Sequence, residues 1–101
     1  MNNRRDIAQE FADKINSEDI KQIVLFGSVA RGEDCDDSDI DILIVSNKGK
    51  EIEPKIASEV FNVVLNKKEF ISAHVMSENK LNKIKDFSLL KNINKEGIIL
   101  G

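Results

Sequence analysis

The sequence predicts an α/β (α+β) fold, a small mixed β-sheet with helices packed on it. Helical apolar periodicity opens the chain, two short apolar runs of strand length follow, and helix-like and strand-like segments then alternate to the end. No internal repeat, low-complexity tract or Pro/Gly/Ser linker divides residues 1–101, so a single domain is expected.

Taken in order, Ile7, Phe11 and Ile15, flanked by Ala8 and Ala12, recur at helical spacing and form one apolar stripe. Gln22 to Phe26 is a short run, apolar from Ile23 onward, and reads as a strand covered on both faces. Gly27-Ser28 breaks it, and the polar residues 28–38 fit a loop or a short helical turn. From Asp39 to Val45 the pattern has period two: Ile40, Ile42 and Ile44 share one face, while Asp39, Asp41, Leu43 and Val45 share the other. That strand has one fully apolar face and a second that turns acidic at its start.

Asn47-Lys48-Gly49-Lys50 reads as a turn, and Pro54 suits the first turn of the next helix, where its missing N–H does no harm. Ile56, Val60, Val63 and Val64, joined by Ala57, Phe61 and Leu65, continue it at helical spacing. Phe70 to Met76 is β-like. Ser77 with Glu78 signals a further helix, which Leu81, Ile84, Leu89 or Leu90, and Ile93 extend. Glu96-Gly97 ends it, and Ile98-Ile99-Leu100 is read as a short edge strand.

Composition narrows the function classes. With 41% hydrophobic and 33% charged residues the chain is neither a disordered tail nor a membrane segment. The longest apolar stretches, such as Ile23 to Phe26, are too short to span a bilayer, and no apolar core follows Arg4-Arg5 as a signal peptide requires. A cytoplasmic location is therefore expected. The net charge of −3 argues against broad nucleic-acid binding. Lysines do gather at 48 and 50, at 67 and 68, and across 80, 83 and 85, as solvated helix faces usually do. Tyr and Trp are absent, and most of the five phenylalanines read as core. The lone Cys35 has no second cysteine for a disulfide or a zinc cluster, and its neighbours Asp34, Asp36 and Asp37 oppose a reactive thiolate rather than favour it.

The chemistry lies between Gly27 and Asp41. A buried strand that ends in Gly27-Ser28 offers backbone N–H groups and a hydroxyl with little bulk, so phosphate oxygens can approach closely. Asp39 and Asp41, two residues apart on a strand, point to one side about 7 Å apart along the chain. Two such carboxylates repel unless a cation sits between them, and oxygen donors suit Mg²⁺ or Mn²⁺. Either pattern alone is common on solvated strands. Their conjunction, a strand, Gly-Ser, ten residues, then Asp-Ile-Asp opening a second apolar strand, is the minimum apparatus for holding a metal-bound nucleoside triphosphate.

That stretch resembles the signature of the DNA polymerase beta-like nucleotidyltransferase superfamily. It is similar in particular to the minimal nucleotidyltransferase branch, in which Ala-Arg-Gly follows Gly-Ser and Ser precedes the first Asp, as Ala30-Arg31-Gly32 and Ser38 do here. An N-terminal helix, and an ending like Leu90-Lys91-Asn92-Ile93 through Glu96-Gly97-Ile98, extend the likeness over nearly the whole chain. The resemblance implies a polymerase beta palm-like fold. It implies that Gly27 and Ser28 contact the β and γ phosphates, that Asp39 and Asp41 ligate Mg²⁺, and that Arg31, Gly32 and Ser38 shape the nucleotide-binding loop. The reaction implied is attack by a hydroxyl on the α-phosphate, with a nucleoside monophosphate, AMP from ATP, passing to a protein or RNA acceptor. In that branch such proteins work beside a small helical HEPN-domain partner as the antitoxin of a toxin–antitoxin pair.

One departure stands out. Members of the superfamily add a third carboxylate on a later strand, but Phe70 to Met76 contains no Asp or Glu. Ser72 and His74 share the face where the acid is expected, and Glu69 lies just before the strand. A catalytically weakened module that binds nucleotide or partner is thus the alternative to the enzyme.

Overall fold

The computed structural model describes residues 3–35, 38–83 and 95–101. Helix α1 (Arg4–Ile15) is capped by Asn3, whose side chain accepts the N–H groups of Arg5 and Asp6. Its buried stripe is Ile7, Ala8, Phe11, Ala12 and Ile15, as the periodicity predicts. There follow β1 (Gln22–Phe26), α2 (Gly27–Arg31), β2 (Ile40–Val45), α3 (Gly49–Lys67), β3 (Ile71–Met76), α4 (Glu78–Lys83) and β4 (Ile98–Ile99). No described helix is long and apolar enough to cross a membrane.

The four strands form one mixed sheet in the order β3-β2-β1-β4. β1 runs antiparallel to β2 and β4, and β2 runs parallel to β3, with α3 as the crossover that parallel strands require. Alternation along the strands then gives two apolar faces. Ile23, Leu25, Ile40, Ile42, Ile44 and Ile71 pack with α1 and α3 in the main core. Val24, Phe26, Leu43 and Val45 form a smaller cluster on the opposite face, against which Met76 and Leu81 pack. Asp41 shares that second face with Leu43, at the end where the cluster gives out.

Residues 27–31 take the short helical turn, one of the two forms expected for residues 28–38. Two other expectations are corrected. α3 begins a full turn before Pro54: the N–H groups of Glu51 and Ile52 already bond Lys48 O at 3.0 and 3.2 Å, so proline sits inside the helix. Phe61, Leu65 and Phe70 are exposed, not core. Ser77 does open α4, its Oγ accepting the N–H of Lys80 at 3.1 Å. The readings placed on Ile84, Lys85, Leu89, Leu90, Ile93, Asp36 and Asp37 lie outside the described residues.

Candidate active site

The site forms where β1 ends and β2 begins. Antiparallel register sets Phe26 opposite Asp41, so the residue after Phe26 lies over the Asp41 carboxylate. That residue is Gly27, with φ +76°, and a Cβ built on it would overlap Asp41 Oδ2 and lie 3.2 Å from Cγ. Glycine is required here twice, by the left-handed backbone and by the close approach. α2 starts at this point, and its first N–H groups have no partner within the helix. Gly32 ends α2 with φ 73°, and the chain folds back as the N–H of Glu33 bonds Ser28 O at 2.9 Å.

The first turn of α1 holds this loop from the side. Arg5 Nη2 donates to Ala30 O at 2.8 Å and Nε to Val29 O at 3.4 Å, supplying donors to the carbonyl end of α2. Arg4 Nη1 meets Asp34 Oδ2 at 2.9 Å and also reaches Cys35 O, while its Nε meets Glu69 Oε2 at 3.0 Å. One arginine thus ties the segment leading into β2 to the segment leading into β3. Sequence reading missed both arginines as site supports. Their signal was cations in a first helical turn, where the helix dipole disfavours them.

Asp39 lies just before β2 and is exposed. Ser72 Oγ donates to its Oδ2 at 3.3 Å. Asp41 is half-buried, and burial raises its carboxyl above the ordinary range; His74 pulls the other way, Asp39 pushes it further up, and Arg31 lowers it. His74 lies beside it, Nε2 at 3.9 Å from Asp41 Oδ1, with its ring 5.5 Å from that of Phe26 at a tilt of 52°. The β2–β3 register explains this: Asp41 pairs with Ser72 and Leu43 with His74, so the side chains share a face. Ser72 and His74 therefore stand where the third acid was sought.

Asp39 and Asp41 fit a hard divalent cation. They repel each other and one is partly desolvated, costs that a cation between them would offset. Among the described residues no group of three or more His, Cys, Asp or Glu side chains gathers as a complete metal site. Such a set suits Mg²⁺, which takes one or two carboxylates and completes its shell with water and substrate phosphates.

The other predicted residues are placed differently. Ser38 Oγ accepts the N–H of Cys35 at 3.0 Å and contacts its Sγ at 3.4 Å, so it shapes the loop. Arg31 is paired with Glu33 at 3.0 Å and Glu96 at 3.3 Å, although its charge still acts on Asp41. Glu69 is held by Arg4.

Comparison with known proteins bears on the family and the fold. Residues 4–100 match the model of the family described as nucleotidyltransferase domain. A candidate protein adenylyltransferase of Methanocaldococcus jannaschii is 36% identical over 106 residues, covering 99% of each chain. Among solved structures, a toxin–antitoxin complex with AMP-PNP superposes with a TM-score of 0.61 at 17% identity, over 100% of this chain and 73% of that one. A candidate nucleotidyltransferase from Sulfolobus solfataricus gives 0.53 at 22% identity, over 96% and 81% of the two chains.

Proposed function

The chain belongs to the nucleotidyltransferase domain family, and from that premise we propose that it transfers AMP from ATP to a hydroxyl of a protein or RNA acceptor. The observation that carries the reading is the contact of Gly27 with Asp41, which brings the glycine turn against one carboxylate of the Asp39–Asp41 pair. Gly27 and Ser28 bind the β and γ phosphates, and Asp39 and Asp41 hold Mg²⁺ or Mn²⁺. A cation held by Asp39 and Asp41 would supply charge to offset that developing on phosphate and would help align nucleophile with leaving group.

An acceptor oxygen bonds the α-phosphorus as the bond from that phosphorus to the β-phosphate's bridging oxygen breaks, and pyrophosphate leaves. We assign the hydroxyl's proton to His74, the nitrogen base nearest the pair. Arg31, Gly32 and Ser38 keep the loop shaped around the triphosphate. The name of the Methanocaldococcus relative supports a protein acceptor, and the toxin–antitoxin neighbours support a partner protein, with this chain as the antitoxin; that the partner is a small helical HEPN-type protein is part of the proposal.

The test uses ATP labelled at the α or the γ phosphate, incubated with the protein, Mg²⁺ and the co-purified partner. α-Label is expected on the partner and γ-label is not, and His74→Ala should slow transfer by about 100-fold with ATP affinity retained. Transfer of neither label, with nucleotide still bound, defeats the reading. A second reading, a weakened module acting by complex formation, is favoured by Ser72 and His74 standing in place of an acid. It requires that Asp39→Ala and Asp41→Ala leave neutralisation of the partner unchanged.

A further inference from the structure

β3 is the outermost strand on its side of the sheet, and among the described residues none pairs with its outer edge. Phe70 O accepts the N–H of Ile40, and Met76 O that of Ser46, both at 2.9 Å, so the even-numbered residues direct their backbone groups to β2. Alternation turns the N–H and C=O groups of Ile71, Ala73 and Val75 outward. This edge carries none of the usual guards: Ile71–Met76 holds no Lys, no Pro and no break in register.

The same edge forms one wall of an open apolar groove of about 810 Å³, whose other wall is α3. Val60, Phe61 and Val64 face Ala73 and Val75 across it. Phe61 is 61% exposed and Phe70, just before β3, 63%. Two large aromatic side chains left in water beside a strand edge that no described residue pairs mark a contact surface. The groove's charged residues, Lys50 and Glu53, are opposite in sign and lie at its Gly49 end. A phosphate backbone would need cations in excess, whereas a neutral groove complements an uncharged apolar chain.

Period-two alternation links this groove to the site. On the α3 side, β3 presents Ile71, Ala73 and Val75 to the groove. On its other side it presents Ser72 and His74 to Asp39 and Asp41. A chain paired to the edge adopts the same alternation. We propose that the acceptor docks as an extended polypeptide strand on the free edge of β3. Apolar side chains at alternate positions fill the α3–β3 groove, and the hydroxyl-bearing residue between them lies on the Ser72–His74 face. Strand addition supplies affinity through the main chain, and the groove supplies selectivity for an apolar-x-apolar sequence. The identity of the docked strand as the acceptor, with its hydroxyl on the Ser72–His74 face, rests on the transferase reading above; the docking site itself does not.

The test uses the full chain, isotope-labelled for NMR, and a short synthetic peptide alternating valine and threonine. The same residues in block order serve as control. The alternating peptide is expected to shift the amides of Ile71, Ala73 and Val75 and slow their hydrogen exchange, and to bind at least about tenfold tighter than the control. Phe61→Asp alters an exposed side chain, and Ala73→Pro removes an outward N–H at an edge position that tolerates proline. Each should weaken the peptide at least about tenfold, and Phe61→Asp should leave ATP affinity unchanged. The proposal is overturned if those amides do not respond, or if both variants bind the peptide normally. It is equally overturned if an RNA oligonucleotide occupies the edge in the peptide's place, or if the edge is closed by a second copy in a dimer that Phe61→Asp dissolves. Peptide docking at β3 with no transfer from ATP to any acceptor defeats the transferase reading and leaves the docking site standing. Transfer that proceeds equally in both variants defeats the docking site and leaves the activity.

Discussion

Gly27 packs its Cα against the carboxylate of Asp41, with a hypothetical Cβ only 3.3 Å from Asp41 Cβ and overlapping Oδ2. Gly32 has nearly the same positive φ but open space, the nearest atom to its hypothetical Cβ being Arg5 Nη2 at 3.9 Å. The pair separates backbone strain from steric exclusion. Gly32→Ala should cost about 1–2 kcal/mol of stability, the strain of a left-handed L-residue, and weaken ATP binding less than Gly27→Ala does. Gly27→Ala should cost that much and also displace Asp41, lowering transfer by about 100-fold or more. Denaturant melts and ATP titrations of the two variants decide it, and equal ATP affinities would remove the contact from the account.

Asp41 should strain the metal-free protein. Its carboxyl is raised by burial, with Asp39 adding to that, so the folded state favours the protonated form. The stabilising contribution is present below the unfolded-chain value of 3.8 and is lost as pH rises through the folded value. At neutral pH in a chelator, Asp41→Asn should therefore melt higher than the unsubstituted chain, and the difference should shrink as the pH is lowered into the carboxylate range. Identical midpoints at neutral pH would contradict the burial argument. Transfer should be lost in the same variant.

Ser72 pairs in register with Asp41 and hydrogen-bonds Asp39. Ser72→Asp would put a third carboxylate beside the first two. Without metal it should lower the melting midpoint through like-charge repulsion. With Mn²⁺ it should bind the ion at least about tenfold tighter and recover the stability. Calorimetry with and without Mn²⁺ checks both signs.

Arg4 joins Asp34 and Glu69, which lie 30 and 65 residues away in the chain. Its side chain is 11% exposed. Arg4→Ala should cost about 1 kcal/mol of stability and lower kcat by more than that loss explains, because the segment before Asp39 is released. Arg4→Lys, which cannot form both contacts with one fork, should fall between the two. Rates of α-label transfer at a temperature where both variants are folded test this.

Much of the sheet was legible because alternation is a local property. Ile40, Ile42 and Ile44 against Asp41, Leu43 and Val45 gave both faces of β2, and Ile7, Phe11 and Ile15 gave the buried side of α1. Family membership and the enzyme class were legible in the Gly27-Ser28 to Asp41 spacing, and the family match over residues 4–100 agrees. What sequence could not supply was non-local. It offered a glycine turn and an acidic pair, but only the antiparallel register set Gly27 over Asp41. The roles of Arg4 and Arg5 depend on partners far along the chain and leave no periodic trace. On α3, apolar residues occur on more than one stripe. Counting them could not tell that Ile52 and Ile56 would be covered while Phe61 and Leu65 would face water. Pro54 misled because the helix starts earlier, at Gly49, where the N–H groups of Glu51 and Ile52 turn back to Lys48 O, so proline falls past the first turn that it usually marks.

The most direct measurement is titration of Mn²⁺ into isotope-labelled protein with and without ATP, read as paramagnetic broadening of backbone amides. Broadening should centre on Gly27, Ser28, Asp39, Ile40 and Asp41, sharpen in concentration dependence when ATP is added, and vanish in Asp39→Asn/Asp41→Asn. Broadening that is absent there, or centred on another acidic cluster and indifferent to ATP, would mean that the glycine turn and the aspartate pair do not share a metal–triphosphate site.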